Sequence, residues 1–473
     1  MKKKFYITTT LPYVNAEPHI GFALEIVQAD LLARYHRLQG EDVFFNTGTD
    51  EHGLKIYRKA LEERKEPQKY VDEYAKKFDD LKRALNLSYN NFIRTTDKHH
   101  IEAAKEFWKK CQKNGDIYKD KQKIKYCVGC ELEKTESEIV DGRCPLHPNK
   151  ALEIIEEENY FFRFSKYQKP LLELYKKHPD FVIPKSRLKE ISNFVSKGLK
   201  DFSVSRLKKK LPWGVEVPGD PGHVMYVWFD ALINYISAIG WPHKIEEFNK
   251  WWPGIQTAGK DNLRQQSAMW QAMLMSAGLP NSKQILIHGF ITSEGQKMSK
   301  SLGNVVDPFE LVNKYGTDAV RYYLLREIPV TKDGDFSTQR FEKTYNADLA
   351  NGLGNLVQRV AKLCERVKFG RPFERADVWK KNTLLSKHLD AYQFNDALAY
   401  IWENIKMLDQ KIDKSKPWKK KGKELEKILA ELVRDLLEIA SSLKPFLPET
   451  GEKIEKIFVA AKIKAGKPLF PRI

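Results

Sequence analysis

No apolar run in this 473-residue chain approaches the roughly 18 residues that a membrane-spanning helix needs. The N-terminus starts Met1-Lys2-Lys3-Lys4, but Thr8 to Thr10, Asn15 and Glu17 interrupt any apolar stretch behind it, so no secretory leader is expected. Cysteine is scarce. The five are Cys111, Cys127, Cys130, Cys144 and Cys364, an odd number in a long chain, which argues against a disulfide framework. Acidic residues are outnumbered, 63 against 81 Lys and Arg, giving a formal charge of +18. That excess suits a polyanionic partner, because basic side chains that neutralise phosphates release counterions. Composition alone does not separate RNA from DNA, a membrane surface or plain solubility. There is no internal repeat and no low-complexity tail. With 42% hydrophobic and 30% charged residues the chain is of globular type, and its length calls for two to four domains.

The opening alternates in the manner of an open α/β sheet. Phe5 to Thr10 is a short β-rich run, Leu11 to Glu17 a turn, Ile20 to Leu38 a helix by apolar spacing, and Val43 to Asn46 a second strand. Ligands of such sheets bind at the carboxyl ends of the strands. Those ends carry Leu11-Pro12-Tyr13 and Gly48-Thr49-Asp50-Glu51-His52-Gly53. His19 falls at the predicted helix N-terminus, where N–H groups and the helix dipole favour phosphate. Further strand-like runs are Val224 to Phe229 and Ile285 to Phe290. From Asn346 onward, apolar residues at three- and four-residue spacing predict a helical bundle over Leu349–Val367, Ala391–Leu408 and Leu425–Leu443.

Between the two sheet halves lies Cys127-x2-Cys130-x13-Cys144-x2-His147. Two close ligand pairs joined by a loop can complete a tetrahedron, and thiolate with imidazole in a closed set favours structural Zn2+. His147 is the weakest member of the set; His178 or another residue is the alternative.

Two signatures carry the most chemistry: Pro18-His19-Ile20-Gly21-Phe22 and, far downstream, Lys297-Met298-Ser299-Lys300-Ser301. In this order they resemble the ATP-handling motifs of class I aminoacyl-tRNA synthetases. Further stretches extend the resemblance over nearly the whole chain: Ala29 to Arg37, Thr47 to Gly53, Tyr226 to Ala231, Gly259-Lys260-Asp261, Asp333 to Ser337 and Ala347 to Asn351. Together they resemble the methionyl-tRNA synthetase family.

The family implies a Rossmann-like parallel-sheet catalytic domain, α/β in class, over 1–117 and 223–290. A zinc-knuckle insertion over 118–222 splits it. A stem-contact domain around the Lys297 loop spans 291–345, and an α-helical anticodon-binding domain spans 346–473. The implied reaction is attack of the L-methionine carboxylate on the α-phosphate of ATP, followed by acyl transfer to tRNA(Met). Mg2+ accompanies ATP, and one Zn2+ sits in the knuckle. Such chemistry is mainly positioning and charge stabilisation. His19, Lys297 and Lys300 would be the catalytic donors, with Gly21, Asp261 and Arg206 on the nucleotide side. Gly295 and Gly303 flank the second loop and would let it close. Leu11, Tyr13, Asp50, Trp228, Ala231, Tyr235, Gln266 and Trp270 would form the methionine pocket, with Asp50 meeting the ammonium group. Asn355, Arg359 and Trp418 would read the anticodon; the other reading of Trp418 is a buried plug. A cytoplasmic monomer is expected.

Three residues depart from the family pattern. Phe22 stands where the first signature usually has His. Arg264-Gln265-Gln266 replaces the usual Arg-Phe-His, so Gln266 occupies a histidine position and removes any His-linked pH dependence. His147 replaces the more usual Cys. Competing readings are weaker. The leucine, isoleucine and valine enzymes need an editing insertion for which 473 residues leave no room. The cysteinyl enzyme carries a Cys near its first signature, whereas none precedes Cys111 here. A silent RNA-binding paralogue would not need His19, Asp50, Lys297 and Lys300.

Overall fold

The structure, a computed structural model, describes residues 2–130, 132–134, 139–296, 298, 303–379 and 383–473. Six short apolar segments form its central sheet: β1 (Lys4–Thr9), β2 (Asp42–Thr49), β3 (Asn91–Arg94), β4 (Val182–Ile183), β5 (Ile255–Gly259) and β6 (Gln284–His288). Their order is β3-β2-β1-β5-β6-β4, and every neighbouring pair is parallel. Strands covered on both faces tend to be apolar; β5 is buried along its whole length, and its two polar residues, Gln256 and Thr257, are hydrogen-bonded to Gln266 and to the Thr8 carbonyl. The chain leaves β1 towards β2 and β3 on one side, then returns to β5 and β6 on the other. That reversal opens a crevice at the carboxyl ends of β1 and β5.

Helix α1 (Ile20–Leu38) follows the first signature and is buried over most of its length. It packs on β1 and β2 and on α2 (Thr317–Arg326), which explains why it is apolar nearly all round. Of its buried polar residues, Glu25 and Asp30 find hydrogen-bond partners, whereas the Gln28 amide has none among the described residues.

The insertion is built on a long antiparallel hairpin, Ile117–Cys127 with Glu153–Phe162. A small sheet of Ser205–Leu207, Glu216–Val217 and Asp220–Met225 follows. The same span returns β4 to the edge of the main sheet. The apolar run 224–229 is a strand only to Met225; Val227–Ala231 is helical. A six-residue apolar run does not distinguish strand from buried helix, and here Tyr226 turns the chain between the two. Ile291–Ser293 pairs in parallel with Gly334–Phe336 and holds the start of the loop that contains Lys297.

The C-terminal region is helical, as its periodicity requires. The first predicted helix divides into a π-helical stretch, Tyr345–Gly354, and α3 (Asn355–Cys364). α4 (Phe394–Ser415) buries Phe394, Ala397, Leu398, Ile401, Ile405, Leu408 and Ile412 as one stripe. α5 (Gly422–Leu443) packs against it, and α6 (Pro448–Phe458) packs against α5, α3 and α2. One hydrophobic core runs from the sheet through α1 and α2 into this bundle.

Candidate active site

His19 caps α1. Its Nδ1 accepts a hydrogen bond from the Gly21 N–H at 3.1 Å. An accepting Nδ1 places the ring proton on Nε2, which is then a donor. Surrounding protein lowers the His19 pKa by desolvation, although the residue keeps an exposed face. Gly21 is needed for this geometry, because a Cβ there would lie 2.8 Å from Cε1 of the His19 ring. Phe22 stacks edge-on against Phe78, with ring centroids 5.4 Å apart, so the departure from His gives an apolar buttress beneath the helix start. The Ile20 N–H donates to the Val306 carbonyl at 3.0 Å, tying α1 to the chain beyond the second signature. Lys297 and Lys300 lie outside the described residues.

The carboxyl ends of β1, β5 and β6 converge on Glu25 of α1, the helix that His19 caps. The Thr10 N–H and Oγ1 donate to Glu25 Oε1 at 2.7 and 2.6 Å. His288 bonds Glu25 Oε2 through Nε2 at 2.9 Å and the Gly289 carbonyl through Nδ1 at 2.8 Å. Both partners only accept, so the imidazole is held as a cation. Burial would lower the His288 pKa, but Glu25 outweighs it and raises it. Asp261 lies against Gly259, where a Cβ would stand 2.7 Å from its Oδ1 and 3.7 Å from Cε1 of His288. Glu25 and His288 escaped the sequence reading. The available signal was a charged or titratable residue inside an apolar element.

Among the residues expected to form the amino-acid pocket, Tyr13 and Asp50 bridge the ends of β1 and β2. The Val14 N–H donates to the Asp50 carbonyl at 3.3 Å, and the Asp50 N–H to that of Pro12 at 3.0 Å. Asp50 is buried and Leu11 half-buried. Gly53, at φ 114°, leaves room for Tyr13, whose Oη would be 3.2 Å from a Cβ there. Tyr13 and Trp228 pack on the same small cluster of Tyr126, Tyr226 and Val227. Trp228 and Ala231 are three apart on one helical turn and so share a face.

Tyr235 follows in the next turn, Asn234–Ser237. The Gln266 Nε2 donates to the Tyr235 hydroxyl at 2.7 Å, and Gln266 Oε1 accepts from Gln256 at 3.1 Å. Trp270 stands behind Tyr235, with centroids 5.9 Å apart, and stacks on Phe107. Arg206 lies in the insertion's small sheet, its guanidinium 4.5 Å from the Tyr226 ring and 5.1 Å from that of Tyr126. It donates to Ser203 Oγ and the Ser205 carbonyl. The structure thus places Arg206 under the Tyr13–Trp228 cluster.

The hairpin tip holds Cys127, Cys130, Cys144 and His147, whose ligand atoms all lie within 4.8 Å of one another. Cys130 Sγ is 3.5 Å from Cys144 Sγ and 3.2 Å from His147 Nδ1, and Cys127 Sγ is 3.8 Å from that Nδ1. Ligands at zinc distances in a tetrahedron are spaced by roughly 3.5–3.8 Å, so the set fits one zinc ion. The His147 ring rests on Gly129, where a Cβ would be 2.4 Å from Cγ. His147 completes the group; His178 caps the helix Gln168–Lys177 instead.

In the bundle, Asn355 is exposed on the first turn of α3, with Arg359 one turn on. Arg359 lies 5.6 Å from the Trp418 ring and is held by Asp409 at 2.8 Å and by Asp413. Trp418 is 44% exposed, so the buried-plug reading is wrong. Pro417–Lys419 forms a tight turn that projects it outward.

A polar group at the carboxyl ends of β1, β5 and β6, an aromatic cluster beside a buried carboxylate, and a Cys/His set that fits a metal are the combination of features expected of a class I synthetase. The family model "tRNA synthetases class I (M)" matches residues 5–153 and 148–361. The methionine–tRNA ligase of Synechocystis sp. is 46% identical over 95% of this chain and 88% of its own length. That of Thermotoga maritima is 44% identical over 95% and 74%. Mycobacterium tuberculosis methionyl-tRNA synthetase in complex with methionyl-adenylate superposes with a TM-score of 0.92 at 36% identity, covering 99% of this chain and 100% of that one. Its free-state form gives 0.83 at 33% identity, over 100% and 99%. The chain belongs to the methionyl-tRNA synthetase family of class I.

Proposed function

We propose that this chain ligates L-methionine to tRNA(Met) through methionyl-adenylate. The observation that carries this reading is the meeting of His19, the Thr10–Glu25–His288 group with Asp261, and the Tyr13–Asp50 bridge at one edge of the sheet. A methionine carboxylate oxygen attacks the α-phosphorus of ATP and pyrophosphate leaves. A terminal ribose hydroxyl of the tRNA then attacks the carbonyl carbon and AMP leaves.

Asp50 pairs with the ammonium group, a charge-assisted contact. Leu11, Tyr13, Trp228, Ala231, Tyr235 and Trp270 shape the wall for a polarizable thioether, and Gln266 orients the Tyr235 hydroxyl. His19 donates from Nε2 to the phosphates, with Gly21 opening the approach. Asp261 binds on the ribose side, and Arg206 braces the pocket through Tyr126 and Tyr226. Lys297 and Lys300 supply charge to the leaving pyrophosphate. Mg2+ carried in with ATP would supply neutralisation of the phosphate charge. Cys127, Cys130, Cys144 and His147 hold Zn2+, which stabilises the insertion. Asn355, Arg359 and Trp418 contact the anticodon. The enzyme acts as a cytoplasmic monomer.

ATP–pyrophosphate exchange with each of the twenty amino acids, without tRNA, tests the reading. Exchange with methionine alone is expected. Exchange with another amino acid would mean a reassigned pocket, and none at all would leave an RNA-binding protein. Lys300→Ala should lower exchange by about two orders of magnitude while methionine binding persists, as for loss of a transition-state charge donor. Normal turnover in that variant would remove Lys300 from the mechanism.

A further inference from the structure

Two of the sequence motifs are stitched to each other by residues that the reaction does not use. His52, two positions after Asp50, places Nδ1 2.6 Å from Asp230 Oδ2. Asp230 lies between Trp228 and Ala231 on the pocket helix. Its other oxygen, Oδ1, is 3.0 Å from His100 Nε2, and His100 Nδ1 is 2.9 Å from Ser237 Oγ. All four residues are buried. A carboxylate only accepts, so both imidazoles present an N–H to it. The His52 ring is further enclosed by Trp213, whose Nε1 donates to the Glu51 carbonyl at 2.6 Å. On its other side the same loop is anchored by Glu51. That carboxylate takes Nε and Nη2 of Arg94 at 2.6 and 2.9 Å and the Thr49 hydroxyl at 2.7 Å.

The amino-acid pocket is assembled from separate elements. Asp50 comes from the end of β2; Trp228 and Ala231 come from a short helix after the insertion. Nothing in local sequence sets the distance between the carboxylate for the ammonium group and the wall for the side chain. We infer that Asp230, clamped by His52 and His100, is a positioning residue that sets this distance and so determines methionine affinity. Glu51 and Arg94 hold the loop to the sheet, leaving the His52–Asp230 bond to align it with the pocket helix. The inference rests on the methionine-activating reading above.

Asp230→Asn keeps the shape but turns one acceptor oxygen into a donor amide, so one imidazole loses its acceptor. In methionine-dependent ATP–pyrophosphate exchange with the full chain, its KM for methionine should rise about tenfold or more, as for loss of a hydrogen bond to a charged group. KM for ATP should change by less than about threefold, because the nucleotide side is built on other elements. His52→Asn retains an N–H near the place of Nδ1 and should restay within about threefold of the unaltered chain, whereas His52→Leu should match Asp230→Asn. Melting temperatures are recorded alongside. A lowered melting temperature with unchanged KM for methionine would reduce the cluster to a stabilising contact and overturn the inference. Equal rises in both KM values would overturn it as well. If Asp230→Asn does not fold, the contrast between the two His52 variants decides. Absence of methionine exchange in the unaltered chain would refute the proposed function itself, a result separable from all of these.

Discussion

Gln266 joins Tyr235 to Gln256 through neutral amide and hydroxyl bonds, all buried. An amide does not titrate near neutrality, so this position carries no proton-linked term of its own. Gln266→His should therefore introduce one: the ratio of variant to unaltered KM for methionine should change between pH 6 and pH 8. A constant ratio would show that the residue does not control Tyr235. Asp230 gives a second, acid-side prediction. Burial alone would raise its pKa, but His52 and His100 outweigh burial and hold it at about 2, below its ordinary 3.8. A depressed folded-state pKa stabilises above the unfolded value and is lost as pH falls through the folded one. Asp230→Asn should thus cost about 2 kcal/mol at neutral pH, with the gap shrinking by about half near pH 3. Urea unfolding of both chains across that range would show it, and a gap independent of pH would reject the ionised assignment.

Two elements owe their shape to single features. The turn Pro417–Lys419 holds Trp418 outward beside Arg359, a stacking platform with a guanidinium next to it, which suits unpaired bases. Trp418→Ala should raise KM for tRNA by about tenfold to a hundredfold, the range for one lost base stack, and leave pyrophosphate exchange unaltered. A change in exchange instead would place its role in the catalytic domain. The knuckle has little apolar core of its own, so a metal held by its Cys/His set would supply most of its folding energy. Cys144→Ser should empty the purified chain of zinc and speed hydrogen exchange over 127–147, with the central sheet still protected. Zinc loss without faster exchange would mean that the tip folds unaided.

At the scale of the molecule, one guanidinium joins three regions. Arg321 on α2 is fully buried. It pairs with Asp30 of α1 at 2.8 Å and donates to the Leu85 carbonyl at 3.0 Å. It also donates to the carbonyls of Phe446 at 2.8 Å and Pro445 at 3.0 Å in the bundle. α1 is capped by His19, so the helix that follows the first signature and the bundle share one bolt. Arg321→Met removes one of the two guanidinium partners of buried Asp30, leaving Arg34, and strips three backbone carbonyls of their donor, so it should destabilise the chain by about 3 kcal/mol. Charging of tRNA should fall further than tRNA-independent exchange, and equal losses would show that the bolt is structural only.

Local pattern was enough for much of this. The strand–loop–helix opening, the apolar stripe of α4 and the spacing of the four metal-site residues each depend on neighbours within a few turns, and sequence displays neighbours. The class of the fold and the two signatures were legible for the same reason. Short elements were not: β4 has two residues, and 224–229 is too brief for periodicity to choose between strand and helix. Nor were the pairings of buried charge. His52 meets Asp230, Glu25 meets His288, and Arg321 meets Asp30 and Phe446 across long stretches of chain. A charge can be buried only where a partner is brought to it, and the tertiary fold alone determines which distant residue that is. The sequence by itself determined the family, the clustered Cys/His set and the helical stripes; packing decided which distant loops are held against which helices, because a buried charge needs a partner that only the tertiary fold brings to it.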